Sequence, residues 1–257
     1  MTNSPVRQDP SRLLRSFTHA RIGLGRAGAS LPTEALLAFG VAHAQARDAV
    51  HTALTPDLLA AALRDAGLAS VNVHSAATDR PTYLRRPDLG RRLDAASRAE
   101  LMALRPARPP QAVFVLADGL SARAVQFHAA PVLIETCRLL QGWTVGPVVI
   151  ARQARVALGD EIGELLGGEL VAVLIGERPG LSSPDSLGIY LTYGPRVGRT
   201  DAERNCISNI RPAGLIYAEA ARQLCRLMEA ARGAGLTGVE LKADPLPSAE
   251  RESLPDA

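Results

Sequence analysis

Four short apolar runs stand out in the second half of the chain because they lack the alternation of apolar and polar positions. They span residues 112–117, 147–151, 170–175 and 187–193. Continuous apolar runs of this length are typical of strands that are covered on both faces, as in parallel sheets flanked by helices. The pattern therefore predicts an α/β fold with a Rossmann-like, doubly wound and mostly parallel sheet.

Helical spacing of apolar residues occurs before and between these runs. Pro32 and Pro56 each stand where a predicted helix begins, and proline is favoured in the first helical turn. Ser121 is a candidate N-cap for a helix that follows the first strand. Pro131 falls inside that helix and should kink it or mark a restart.

The best candidate for a domain boundary is the proline-rich segment LRPARPPQ at residues 104–111. On this basis we predict a mobile arm over residues 1–18 and a helical, arginine-rich N-terminal domain over residues 19–104. A Rossmann-like domain should follow over residues 111–243, and a disordered tail over residues 244–257.

The loops that follow the predicted strands are the expected location of function, since open α/β sheets bind ligands beyond the carboxyl ends of their strands. These loops are residues 118–121, 152–160, 176–186 and 194–209. They are rich in Gly, Ser, Asn and Arg and contain no obvious acid–base pair. Such loops favour a large polar ligand that is bound through amides and carbonyls.

Composition and charge narrow the class of partner. The chain of 257 residues has no apolar run near the roughly 20 residues that span a bilayer, and no signal-peptide pattern at its N-terminus. We therefore predict a cytoplasmic protein without a membrane partner. Residues 1–110 carry 15 arginines against 9 acidic residues, whereas the remainder carries 14 basic against 17 acidic residues. The basic part could meet an acidic protein or phosphate, but an aromatic content of 4% argues against nucleic acid.

Several familiar catalytic motifs are absent from the sequence. It contains no GxxxxGK[ST] phosphate loop, no GxSxG nucleophile elbow and no HExxH metal motif. Cys137, Cys206 and Cys225 lack CxxC spacing, which argues against a zinc site or a disulfide framework. The six arginines of residues 79–101 suit either a solvated loop or a docking surface.

Six segments together resemble the small (light) subunit of ethanolamine ammonia-lyase. The resemblance covers about residues 19–242, and GERPGL followed about 30 residues later by CISNI is its most specific part. The segments are ARIGLGRAG (20–28), TYLRRPDLGRRL (82–93), DGLSA (118–122), GERPGL (176–181), LTYGPR (191–196) and NCISNIRP (205–212).

The resemblance implies an adenosylcobalamin enzyme that converts ethanolamine to acetaldehyde and ammonia by radical chemistry. It also implies a hetero-oligomer with a larger catalytic subunit, the cobalamin lying between the two subunits. Val156, Glu177 and Cys206 match the family's cobalamin contacts, and all three fall in the loops selected above. No catalytic residue and no metal ligand is carried over to this chain. The sequence lacks DxHxxG, which agrees with base-on cobalamin.

Alternatives stay open at this point. Glu177 could cap its own turn, Val156 could be a core residue and Cys206 a small buried filler. The whole chain could instead be a stand-alone Rossmann-like binding module for a nucleotide-like ligand. N-terminal segments address some relatives to a bacterial microcompartment, so that location is also left open.

Overall fold

The computed structural model describes residues 6–18 and 20–241. Its main element is a six-stranded sheet, and a separate antiparallel pair lies near the N-terminus. The small pair is β1 (Val6–Arg7) and β2 (Arg26–Ala27). The strands of the main sheet are β3 (Ser70–His74), β4 (Ala112–Ala117), β5 (Val148–Arg152), β6 (Leu170–Gly176), β7 (Leu187–Tyr193) and β8 (Asn205–Ile210).

Eight α-helices accompany the strands among the described residues. They are α1 (Thr33–His51), α2 (Pro56–Asp65), α3 (Arg80–Arg85), α4 (Ala95–Ala103), α5 (Ala122–Ala124), α6 (Ala130–Leu139), α7 (Leu158–Leu166) and α8 (Tyr217–Ala234). Three 3₁₀ turns lie at Pro10–Ser16, Leu89–Arg91 and Asp201–Glu203. None of these helices is long and apolar enough to cross a membrane.

The main sheet is mixed, in the order β3-β5-β4-β6-β7-β8. The first four strands are parallel, whereas β7 is antiparallel to β6 and β8 is antiparallel to β7. The predicted buried strands and the α/β class are confirmed, and helices cover both faces of the sheet. The Rossmann-like description remains a prediction.

The prediction that the loop after residues 187–193 lies at the same edge of the sheet as the loop at 176–186 is wrong where that loop begins, because β7 is antiparallel to β6. The loop that begins at Gly194 lies at the opposite end of the sheet from the loop at 176–186. The evidence is a hydrogen bond from the Gly194 N–H to the carbonyl of Glu169, which stands just before β6 (2.8 Å). The physical reason is the length of the β6–β7 connection. A parallel crossover takes a dozen or more residues, usually including a helix, and residues 177–186 are too few.

Two apolar layers hold the helices against the sheet. One face packs α2, α6 and α8 against side chains such as Phe114 and Leu174. The other face packs α4 and α7 against side chains such as Val115 and Val173. Every residue of β4 and β6 is buried, which explains why their sequences contain no polar position.

Local capping follows the sequence closely. The Ser121 side chain accepts a hydrogen bond from the Ala124 N–H and so begins the helix after β4. Before Pro131 the helix widens into a π-helical turn at Val125–Ala129. Proline lacks the N–H of a helical residue and its ring crowds the carbonyl four residues earlier, which accounts for a disturbance at this place.

The predicted domains contribute to the same sheet. Strand β3 belongs to the predicted N-terminal helical domain, yet it pairs in parallel with β5 over its whole length. Helix α4 likewise packs on α7. The four-part division of the chain stays a prediction. Residues 1–5 of the predicted arm and the whole predicted tail, residues 244–257, lie outside the described residues.

Candidate functional site

A cleft opens where the parallel strands β4 and β6 end. Its volume is about 230 Å³. Larger grooves of about 950 Å³ and 560 Å³ lie beside the N-terminal segment and beside α7. Only the smallest of these three lies at the edge where α/β sheets bind ligands. The cleft is lined by Tyr83, Gly119, Leu120, Arg155, Val156, Ile175, Gly176, Glu177 and Tyr190.

The loop that carries Val156 is fixed from the end of the neighbouring strand. Asp118 follows β4 directly, and its carboxylate accepts hydrogen bonds from the backbone N–H groups of Gln153 (2.7 Å) and Ala154 (2.9 Å). Gln153 has a positive φ of 52°, a conformation that costs energy for a residue other than glycine. Burial raises the pKa of Asp118, against the two backbone hydrogen bonds that lower it. These bonds hold the loop in the shape that presents Val156 to the cleft.

A tyrosine between two guanidinium groups forms one wall of the cleft. The ring of Tyr83 lies 4.7 Å from the guanidinium carbon of Arg80 and 4.1 Å from that of Arg155. Its hydroxyl donates to the Ala154 carbonyl (3.1 Å), and burial raises its pKa to about 12. Gly90 approaches so closely that a Cβ there would lie 2.9 Å from the Arg155 side chain. The wall therefore joins the arginine-rich segment to the loop after β5.

The arginine run divides between two roles. Arg80 is part of the interior, since its side chain donates to the carbonyls of Val50 (2.6 Å) and Gly119 (2.8 Å). Arg85, Arg86, Arg91 and Arg92 are exposed. The sixth arginine, Arg98, is ion-paired with the buried Glu161. The solvated or docking interpretation thus applies to the other four arginines and not to the run as a whole.

Glu177 follows β6 and is half-buried at the mouth of the cleft. Its Oε2 accepts hydrogen bonds from the Ser186 hydroxyl and from the Asn209 backbone N–H (3.3 Å). Within the described part of the chain its Oε1 receives no hydrogen bond. A Cβ on Gly188 would lie 2.9 Å from Oε1, so glycine at that position makes room for the carboxylate. Asn209 has a positive φ of 59°, and the bond from its N–H to Glu177 helps to hold that conformation.

Cys206 lies beside the cleft and reaches it through Tyr190. The two residues are paired directly across β7 and β8, so their side chains lie on the same face of the sheet. Loss of hydration, together with the nearby Cys206, raises the pKa of Tyr190 to about 12. Loss of hydration also raises the pKa of the exposed Cys206 thiol. Val156 and Glu177 therefore share one cleft, and Cys206 lies next to Tyr190, another residue that lines it.

A buried ion pair fixes the start of β8. Arg204 donates from both terminal nitrogens to the two carboxylate oxygens of Asp160 on α7 (2.6 and 2.7 Å). Both side chains are 2% exposed. Arg204 also donates to the Thr192 hydroxyl (2.9 Å). The pair ties α7 to the strand that carries Cys206.

The opposite side of the sheet holds a buried histidine. His128 lies in the π-helical turn, and its Nδ1 is 2.8 Å from the Tyr217 hydroxyl. Its Nε2 is buried, receives no hydrogen bond from the residues that the structure describes, and lies 3.8 Å from Asp185. Burial lowers the pKa of His128, against the nearby Asp185 carboxylate. This histidine does not line the cleft.

Sequence reasoning missed several residues of the cleft. Tyr190 was part of an apolar run, although Ile189 and Leu191 pack on one face and Tyr190 faces the other. The tyrosine hydroxyl, a polar group within an otherwise apolar strand, could have marked Tyr190 as a candidate site residue. Tyr83 and Arg155 are 72 residues apart, and no local pattern predicts that they meet.

The fold and the cleft define an α/β protein with a small ligand cleft made of an aromatic ring, a guanidinium group, a valine and one carboxylate. The described residues contain no cluster of three or more His, Cys, Asp or Glu side chains that could hold a metal ion. The arrangement is suited to holding the edge of a ligand rich in hydrogen-bond donors.

Comparison with known proteins identifies the family. The family model "Ethanolamine ammonia-lyase light chain (EutC)" matches residues 8–242. The chain is 54% identical over 261 residues to the ethanolamine ammonia-lyase small subunit of Ralstonia nicotianae, covering 98% of this chain and 96% of that relative. It is 56% identical to the proteins of the same name from Azotobacter vinelandii (93% and 90% covered) and Xanthomonas campestris pv. campestris strain B100 (89% and 86% covered).

The chain belongs to the ethanolamine ammonia-lyase light-chain family. The resemblance found in the six sequence segments is therefore confirmed, and so is the prediction that the chain is a subunit of this lyase.

Proposed function

We propose that this chain is the small subunit of an adenosylcobalamin-dependent ethanolamine ammonia-lyase and that it holds part of the cobalamin against a large catalytic subunit. The assembled enzyme converts ethanolamine to acetaldehyde and ammonia. The observation that supports this proposal is the common location of Val156 and Glu177 in one cleft, with Cys206 paired across the strands to Tyr190, which also lines that cleft.

The chemistry of the cleft fits the rim of a corrin. Amide side chains surround the corrin ring, and their N–H groups need acceptors. Glu177 Oε1 is an acceptor without a partner inside the described chain, and the Tyr190 ring and Val156 offer apolar surface beside it. Gly188 makes room for the Glu177 carboxylate, and Gly176 allows the end of β6 to pack closely against the backbone of the loop after β4.

The size of the cleft supports a shared site. Pockets that enclose a small molecule usually measure about 300–1,000 Å³. The cleft measures about 230 Å³, although a corrin is larger than most small-molecule ligands. This chain would therefore cover only part of the cofactor, and the large subunit would cover the remainder.

The groups that line the cleft are suited to binding the cofactor and not to acting on the substrate. Adenosylcobalamin, when bound, supplies the radical that starts the reaction. In the proposed assembly Glu177 would accept from the corrin rim, Val156 and Tyr190 would pack against it, and Asp118 would hold the Val156 loop in place. The groups that act on ethanolamine would belong to the large subunit, and the cobalamin would be bound base-on.

The test uses the chain co-expressed with the large subunit. We expect a stable complex that releases ammonia from ethanolamine when adenosylcobalamin is added. Val156→Arg should leave the complex intact and lower its cofactor affinity at least tenfold, because the new side chain fills the cleft. Val239→Arg is the matched control, since Val239 is 81% exposed and lies outside the cleft.

Two outcomes would contradict the proposal. If the purified chain remains a monomer in the presence of the large subunit and binds a nucleotide-like ligand alone, it is a stand-alone binding module. If Val156→Arg and Val239→Arg bind the cofactor equally well, the cleft is not the cofactor site.

A further inference from the structure

The first half of α1 has its large apolar side chains on the outside of the molecule. Leu36, Leu37, Phe39 and Val41 are between 44% and 65% exposed. The residues that this helix buries are Ala42 and Ala49, which are small. A surface helix usually shows the reverse arrangement, with large apolar residues inside and polar residues outside. The four exposed residues are called the α1 apolar surface below.

The α1 apolar surface extends around more than half of the helix. At about 100° per residue, its four side chains cover an arc of roughly 200°. Glu34 is the only acidic or basic residue, apart from His43, in residues 33–46. A flat partner surface cannot cover an arc of this width. A groove that receives the helix can do so, which is a known mode of helix recognition.

A glycine at the centre of the arc supports close approach by a partner. Gly40 lies midway between the outer apolar side chains, and a Cβ added to it would meet nothing within 4 Å among residues 6–18 and 20–241. Glycine weakens an exposed helix relative to other residues. The chain's own packing therefore gives no reason for glycine here, whereas contact between two backbones would.

Helix α1 is connected to the candidate site at its C-terminal end and through the segment that precedes it. Arg80, which stacks on Tyr83 in the cleft wall, donates to the carbonyl of Val50 near the end of α1 (2.6 Å). Arg21, in the segment before α1, donates to the Leu181 carbonyl in the loop after Glu177 (3.3 Å). A partner that closes the cleft would thus lie next to α1.

The segment beside the first turns of α1 is basic, since Arg12, Arg15 and Arg21 line a groove together with Glu34 and Ala38. Five arginines and one aspartate are the charged residues of positions 6–27. A second copy of this chain would bring the same basic surroundings to the contact. An acidic partner surface would complement these arginines and raise the rate of association, whereas a basic partner surface would be repelled. The residues concerned are Arg7, Asp9, Arg12, Arg15, Arg21 and Arg26.

We propose that the α1 apolar surface inserts into an apolar groove with an acidic border on the large catalytic subunit. The proposal rests on the proposed function, because that function supplies the partner. The large subunit would then contact the chain at two places, the cleft and α1, with Gly40 at the point of closest approach.

The test compares assembly with the stability of the isolated full-length chain. Gly40→Gln should raise or maintain the melting temperature of the isolated chain, because glutamine is the better helix former. The same change should weaken binding of the large subunit at least tenfold. Leu36→Gln with Leu37→Gln should weaken it about 100-fold, as expected for two central contacts. Leu139→Gln is the control, since it is also exposed (49%) but lies on α6.

Each result has one meaning when the wild-type complex is measured in parallel by titration. Normal assembly of Gly40→Gln and of the double variant overturns the proposal while leaving the proposed function intact. A wild-type chain that binds no large subunit contradicts the proposed function itself. Loss of a self-associated form of the isolated chain in the double variant would show that a second copy covers α1. Unfolding of the isolated double variant would show that the chain itself covers these leucines, and this also overturns the proposal.

Discussion

Substitution of Glu177 separates a cofactor contact from a purely structural carboxylate. Its Oε2 accepts from Ser186 and from the backbone of Asn209, whereas its Oε1 has no partner within the described chain. Glu177→Ala removes both acceptors. Glu177→Gln keeps a carbonyl oxygen for Ser186 and Asn209 but places an NH₂ group toward the cleft. The NH₂ group cannot accept from a corrin amide.

The magnitudes follow from the hydrogen bonds involved. A hydrogen bond to a charged group contributes about 1.5–3 kcal/mol, which corresponds to roughly 10- to 150-fold in affinity. We expect both variants of Glu177 to lose adenosylcobalamin affinity within this range. Glu177→Ala should also lose about 1–2 kcal/mol in free energy of unfolding, because it leaves the Ser186 and Asn209 donors without an acceptor. Glu177→Gln should lose much less.

The assay is a titration of the assembled complex with adenosylcobalamin, followed by absorbance, together with ammonia release at saturating cofactor. Glu135→Gln is the control, because Glu135 pairs with Arg138 on α6 and not with the cleft. Turnover at saturating cofactor should stay within a few fold of wild type for both Glu177 variants. Wild-type affinity in Glu177→Gln would refute the cofactor contact. A large loss of turnover with unchanged affinity would assign Glu177 a catalytic role.

Three further predictions concern residues around the cleft and in the core. Cys206 should alkylate slowly at neutral pH and faster at higher pH because its thiol pKa is raised, and cobalamin should protect it in the complex; equal labelling with and without cofactor, measured by peptide mass, would contradict this. Asp160→Asn leaves the buried charge of Arg204 without its partner, so chemical denaturation should show a loss of about 3–5 kcal/mol in free energy of unfolding. A loss below about 1 kcal/mol would contradict a structural role for this ion pair. The buried His128 has a lowered pKa, so its contribution to stability is present above pH 6.5 and is lost as pH falls below that value. His128→Gln should flatten this part of the curve of unfolding free energy against pH. An unchanged slope would show that His128 does not cause the pH dependence.

Burial and capping could be read from the sequence because both are local. The apolar runs that became β4 and β6 contain no polar residue, and both strands are fully buried. Ser121 caps the next helix as its position predicts. The direction of β7 was mistaken because periodicity reports burial and carries no information about strand polarity. The ten-residue connection from β6 did contain that information, as it is too short for a crossover.

The candidate site was predictable where single strand ends define it. Val156 and Glu177 each follow a parallel strand, and their loops meet because the ends of β5 and β6 lie on one side of the sheet. The cleft wall was not predictable, since Tyr83 comes from the first third of the chain. Its position depends on packing between Arg80 and Arg155, which no local pattern encodes.

The cleft and α1 together connect cofactor binding with assembly. If the large subunit covers both, as we propose, the same contacts that complete the cofactor site also hold the subunits together. Binding free energies are reciprocal, so the factor by which the large subunit tightens cobalamin binding equals the factor by which cobalamin tightens assembly. The small cleft makes this factor large, because most of the corrin surface would stay in water on the isolated chain. Glu177 and Gly40 would then both affect the coupled equilibrium of cobalamin binding and subunit assembly. A change at Glu177 should alter assembly only when cobalamin is present. A change at Gly40 should alter assembly with or without cobalamin.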